Sequence, residues 1–140
     1  MPYVIETRQV AAQPMAVVRG RATKASLPKS IRALFDEFYG SFKGKAGLNV
    51  IYYPGACADG ELDLECGVQV ECGGNSQTPA GQVATTVYHG PYDRMRPAHE
   101  AIHQWCRDQG QKTAGPSWEV YGHWADDPSQ LRTDIFYLLA

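Results

Sequence analysis

Glu119 is the residue whose neighbours best suit it for chemistry. It stands between Trp118 and Val120 in the run Trp118-Glu119-Val120-Tyr121, a strand-forming context that disfavours glutamate. Side chains alternate along a strand, so Glu119 shares a side with Tyr121 and His123. Asn49, Ile51 and Tyr53 share a side of an earlier run. Glu65 with Gly67, and Asp134 with Phe136, do the same on two further runs. If helices cover one sheet face and take the aliphatic residues, these groups populate the other, as aromatic walls around a few carboxylates. A carboxylate among aromatic rings suits an organic cation: the rings supply area and cation–π attraction, and the carboxylate the countercharge. The same spacing also fits a Glu119 that is solvent-exposed or paired with an arginine such as Arg132.

Other reactive types are scattered. His89 precedes the Gly90-Pro91-Tyr92 turn and can hydrogen-bond a ligand or brace that turn. His99 and His103 have the four-residue helical spacing of a metal-binding pair, but no HExxH-type motif or third ligand accompanies them, so no metal is expected. The four cysteines, Cys57, Cys66, Cys72 and Cys106, form no CxxC pair. They read as reduced and structural or incidental, with a Cys57–Cys72 disulfide left open. No Ser-His-Asp signature, P-loop or GxGxxG is present, and no cofactor is implied. If the chain is an enzyme, Glu119 is the candidate catalytic group, a pocket carboxylate that activates water against a strained electrophile.

The elements that must position these residues come twice. Met15-Ala16-Val17-Val18-Arg19-Gly20 matches Thr85-Thr86-Val87-Tyr88-His89-Gly90. A helical stretch follows each glycine, Ser26 to Lys43 and Tyr92 to Gln109. Leu48 to Tyr53 then falls opposite Trp118 to His123, and Glu61 to Val70 opposite Gln130 to Leu139. The unit is strand–helix–strand–strand, used twice, and such repetition weighs more than local propensity. In the first helix Ser26 is the N-cap, Pro28 sits in the first turn, and Ile31, Leu34, Phe35, Phe38 and Phe42 form one apolar stripe, ended by Gly44 and Gly47. In the second, Met95, Ala98, Ile102 and Trp105 point inward, Pro97 is tolerable only in the first turn, and Gly110 ends the helix. Residues 72–79 read as a loop between the halves. The pattern is α+β: a mostly antiparallel sheet with two helices on one face.

The 140 residues suit one domain built of two halves, about 1–72 and about 80–140. Hydrophobic content of 44% and charged content of 20% are globular values that argue against disorder. The absence of a long apolar run and of a secretory signal points to a cytoplasmic protein without a membrane partner. Net charge is −2, with +5 over residues 1–50 and −7 over residues 51–140. A nucleic-acid binder would show a basic excess and a reading helix, so direct nucleic-acid binding is not expected. The acidic second half suits a cationic partner.

His89-Gly90-Pro91-Tyr92, Trp105, Gly115-Pro116, Trp118-Glu119-Val120-Tyr121 and Thr133-Asp134-Ile135-Phe136 together resemble the GyrI-like small-molecule-binding domain, the effector-binding module of BmrR-type and Rob-type transcription regulators. Glu65-Cys66-Gly67-Val68 resembles its acidic-x-Gly-Val strand in the first half. The resemblance implies a hydrophobic pocket between pseudo-symmetric halves, where a buried glutamate meets cationic aromatic ligands, as in multidrug binding. It assigns that role to Glu119, beside Tyr121. The family's last strand usually reads Thr-Glu-Ile-Tyr before a proline; here Asp134, Phe136 and Leu138 depart from it, and the tyrosine hydroxyl is lost. The expectation is a stand-alone module, since the repeat leaves no room for a DNA-binding domain. It would sense or sequester a hydrophobic, cationic or planar aromatic ligand, with Glu119 as charge, Tyr121, Tyr53, Trp118 and Phe136 as walls, and Glu65 and His89 nearby. The alternatives are a hydrolase of reactive drug-like molecules on the same scaffold, and a gyrase-inhibitor-like module that binds a protein partner.

Overall fold

The computed structural model describes residues 3–44, 47–55 and 59–140, so Cys57 and its candidate disulfide lie outside the described residues. The elements run β1 (Glu6–Val10), β2 (Pro14–Ala22), α1 (Leu27–Ser41), β3 (Asn49–Tyr53), β4 (Leu62–Gln69), β5 (Ser76–Gln77), β6 (Gly81–His89), α2 (Arg96–Gln109), β7 (Thr113–Tyr121) and β8 (Arg132–Leu139), with 3-10 turns at Tyr92–Arg94 and Pro128–Gln130. All eight strands join one antiparallel sheet in the order β1-β6-β8-β7-β3-β4-β2-β5. The short β5 falls inside the segment read as a loop. It pairs with the start of β2, where Pro14 therefore sits at a sheet margin rather than in a central ladder.

That order carries the repeat. The units β2-α1-β3-β4 and β6-α2-β7-β8 meet back to back along β3 and β7. Val50 pairs with Val120 across this seam, and the Gly20–Gly90 alignment makes those two valines equivalents. The pseudo-twofold axis therefore passes through that pair, and Asn49 becomes the counterpart of Glu119. The outer strands depart from the sequence alignment. Ile51 pairs with Cys66, while its counterpart Tyr121 pairs with Thr133. Cys66 thus corresponds to Thr133, two residues away from the expected match.

The sheet curls. β1 and β2 lie toward opposite edges of the order, yet only residues 11–13 join them, and three residues span roughly 10 Å. The edges must converge there, and Gln13 and Thr78 bond across the junction at 3.1 and 3.0 Å. Gly67 permits the curvature in β4, since a Cβ on it would lie 1.8 Å from the Ala16 carbonyl oxygen.

Curling buries both faces. The inside holds Met15, Val17, Val50, Val83 and Trp118, with Tyr52, Phe136 and Leu138 packed against them. The outside carries both helices. Leu34 of α1 lies against Gly20, whose face is shared across the register with Leu64, Cys66 and Ile51. On α2, Ala98, Ile102 and Cys106 pack with Ala84, Tyr88 and Ile135; Trp105 is only half-buried.

Both helices start as their sequences direct, with proline in the first turn, and α2 ends at Gly110 in the left-handed conformation (φ 67°). Ser26 precedes α1 but makes no capping bond; its hydroxyl pairs with Thr23. α1 ends earlier than its glycines suggest, with Phe42 extended, and of its stripe only Phe38 is buried. No helix among the described residues is long and apolar enough to cross a membrane.

Candidate functional site

Glu119 sits at the centre of the sheet on the helix-covered face. The row across it reads Cys66, Ile51, Glu119, Ile135, Thr86. Both flanking isoleucines are buried, and Glu119 itself is only 5% exposed. A carboxylate there needs partners, because stripping water from a charge is costly unless hydrogen bonds replace it. Tyr121, two residues along the same strand face, donates its hydroxyl to Oε1 at 2.7 Å. His99, from the first turns of α2, places Nε2 at 2.6 Å from Oε2. Its Nδ1 lies 2.7 Å from the Tyr137 hydroxyl. A neutral imidazole that donates to the carboxylate accepts from Tyr137, so a tyrosine–histidine–glutamate chain runs from β8 through α2 to β7.

The Glu119 carboxylate and its dry surroundings mark the neighbouring groups. Burial first, then the negative charge of Glu119, pushes the Tyr137 hydroxyl and the Cys66 thiol up to about 12. The same two causes, in the same order, raise Tyr53, and raise Tyr121 well above its ordinary value. Three phenols and a thiol therefore stay protonated around one carboxylate at neutral pH. Thr133, opposite Tyr121 on β8, is fully buried on this face, and its hydroxyl has no hydrogen-bond partner among the described residues. An aromatic path leads outward: Tyr121 meets Tyr92 edge-on at 4.9 Å, and Tyr92 meets the exposed Trp124 at 6.3 Å.

The residues singled out from the sequence separate onto two faces. Glu119, Tyr121 and Tyr53 come together beneath the helices, so the expectation that they occupy the uncovered face is corrected. Trp118 and Phe136 stack at 5.4 Å on the inside of the curl, where Tyr52 adds an edge contact. They are core residues there, on the far side of the sheet from Glu119. Glu65 also faces that side, bonded to Ser76 and to Arg19 at 3.4 Å. Asp134 pairs with Arg132 at 2.8 Å, so Arg132 is engaged away from Glu119. His89 is exposed at the end of β6, beside a hollow of about 580 Å³ that Glu6, Arg8 and Asp134 also line. The turn after it is braced by Tyr88, whose hydroxyl donates to the Pro91 carbonyl at 2.6 Å. β7 ends at Tyr121, so His123 lies beyond the strand. The reason for the split is that both sheet faces are buried, which erases the polarity contrast that would tell one from the other.

Sequence reasoning missed two members of the site. Tyr137 is not among the residues that the sequence singles out. His99 stands out there only for its spacing from His103, with no metal expected and no other role assigned; in the structure both its nitrogens are engaged, and His103 packs edge-on against Tyr137 at 4.7 Å. The signal for His99 is its place on the inner edge of α2, one residue after buried Ala98; its partner lies 20 residues away in the chain.

Comparison with known proteins agrees with this architecture. The family model described as GyrI-like small molecule binding domain matches residues 1–139. No curated protein matches the chain. Among solved structures, the EcmrR C-terminal domain superposes with a TM-score of 0.76 at 20% identity, covering 100% of this chain and 99% of that one. SAV2435 bound to tetraphenylphosphonium gives 0.73 at 12% identity, covering 100% and 94%. A hydrolase from Listeria innocua gives 0.60 at 10% identity, covering 97% and 91%. At these identities the structures share the fold.

Proposed function

We propose, from the premise that this chain belongs to the GyrI-like small-molecule-binding domain family, that it binds a hydrophobic organic cation at the seam between its two halves. The observation that carries this reading is Glu119: a carboxylate 5% exposed, ringed by Tyr53, Tyr121 and Tyr137, with no lysine or arginine in ion-pair contact among the described residues. A buried carboxylate without a permanent countercation attracts a ligand cation, and the rings favour a flat aromatic one. That SAV2435, of the same fold, was solved with tetraphenylphosphonium supports a cationic ligand class. The domain would then sense or sequester such molecules.

The test is a thermal-shift screen of lipophilic cations, neutral planar aromatics and anions, since a ligand of the native state raises the melting temperature by mass action. Shifts confined to cations and lost in Glu119→Gln are expected. Equal shifts from neutral aromatics, or full retention in Glu119→Gln, would overturn the reading.

The His99 contact favours a second reading. An imidazole held between a carboxylate and a hydroxyl has the geometry of an oriented general base, and a hydrolase shares the fold. Product formed in excess of protein, and dependent on both His99 and Glu119, would establish turnover; strict one-to-one binding would remove it.

A further inference from the structure

The anionic site is already occupied by the chain's own N–H donor. Both Glu119 oxygens are taken, Oε1 by Tyr121 and Oε2 by His99, and the Glu119 side chain is 6% exposed. Each oxygen could accept a second bond, but a side chain this buried is open to a ligand cation only if one of the two groups that cover it moves aside. Tyr121 shares β7 with Glu119 and lies in its central ladder. His99 is the more accessible one: its side chain is 23% exposed, and α2 is anchored by Ala98, Ile102 and Cys106, so a side-chain rotation would free the carboxylate oxygen with the helix in place.

What replaces His99 then decides affinity. A cation without a donor, such as a quaternary ammonium or a phosphonium, would leave Oε2 buried and unpaired, and an unsatisfied buried acceptor is costly. A cation bearing N–H groups restores the bond, and a planar amidinium or guanidinium does so in a charge-assisted geometry suited to carboxylates. The Tyr137 hydroxyl, freed from Nδ1, remains a protonated donor or acceptor at the same place.

We infer that His99 is an internal stand-in for the ligand, and that the ligand class is an N–H cation (an aryl amidinium, guanidinium or protonated amine) in preference to donor-free onium ions. This rests on the cation-binding reading of Glu119 and narrows it.

The test is calorimetric titration with a matched pair, 4-phenylbenzamidinium and biphenyl-4-yl-trimethylammonium, against wild type and His99→Ala. Wild type should bind the amidinium at least about tenfold more tightly, the equivalent of one charge-assisted hydrogen bond. His99→Ala should bind both cations more tightly, because their competitor is gone. The wild-type comparison stands even if the variant folds poorly. Equal or stronger binding of the trimethylammonium ion by wild type, or weaker binding of both ions by a folded His99→Ala, would overturn the inference while leaving the cation site intact. Binding of neither ion by either protein would sink the cation site itself, and this inference with it.

Discussion

Replacing Glu119 separates its charge from its packing. Glutamine keeps the volume and can still accept from Tyr121 at Oε1 (2.7 Å), while its amide faces His99, whose ring can switch tautomer and accept. Because the network can be re-satisfied, Glu119→Gln should change stability by no more than about 1 kcal/mol. Glu119→Ala is different. It removes both acceptors, leaves the Tyr121 hydroxyl and the His99 ring facing a small void between buried Ile51 and Ile135, and should lower stability by about 2–4 kcal/mol. For a domain of this size that is a fall in Tm of roughly 6–15 °C. Cation affinity should follow the charge and not the volume, dropping by about 1–3 kcal/mol, roughly 5–150-fold, in the glutamine variant. The assay is a denaturant or thermal melt of all three proteins, then calorimetric titration of wild type and Glu119→Gln with a lipophilic cation. A Glu119→Gln protein that melts with wild type and binds the cation with unchanged Kd would refute the electrostatic argument.

Stability should decline in alkali. Tyr137 and Cys66 are held up to about 12, and Tyr53 and Tyr121 are raised as well. The unfolded chain sheds these protons from about pH 9–10 while the folded one retains them. Their contribution is therefore complete below that range and is lost as pH climbs toward 12, at up to ~1.4 kcal/mol per pH unit for each group. Urea melts at pH 8, 9.5 and 10.5 measure the slope, and a flat profile would contradict the burial. Trp118→Phe should lower Tm through lost packing against Phe136 and Tyr52, yet shift cation affinity less than about threefold, because Trp118 lies on the far side of the sheet; a tenfold loss in a folded variant would place it in the site. Gly67→Ala should abolish folding or cost more than ~4 kcal/mol, because its Cβ would lie 1.8 Å from the Ala16 carbonyl oxygen; a soluble variant with a wild-type melt would show that the curl does not need this approach.

The seam and the faces were unequally legible. The repeat was written in glycine spacing and in two amphipathic helices, each with a proline in its opening turn, and those signals are local. Offsetting the halves by the Gly20–Gly90 distance places Val50 on Val120, the pair through which the pseudo-twofold axis passes. The outer-strand alignment slipped by two residues, which preserves facing under a period of two and so left no trace in the hydrophobic pattern. Glu119 stood out because a charge in an aromatic strand is locally anomalous, and local anomalies are what a sequence displays.

By itself, then, the sequence determined the α+β class, the duplicated unit, the helix starts and the singular position of Glu119, all of which follow from short-range sterics and periodicity. Only the tertiary structure decided which face Glu119 occupies and who meets it there. Alternation gives relative parity within a strand. The absolute facing depends on which side the helices cover, and in β3 and β7 both sides are buried. The curl that buries the inner face arises because residues 11–13 must join strands near opposite edges of the sheet. That same curl moved Trp118 and Phe136 into a core of their own. His99 and Tyr137 reach Glu119 from α2 and β8, and no local pattern encodes a meeting of three elements that is created only when the second half folds back onto itself.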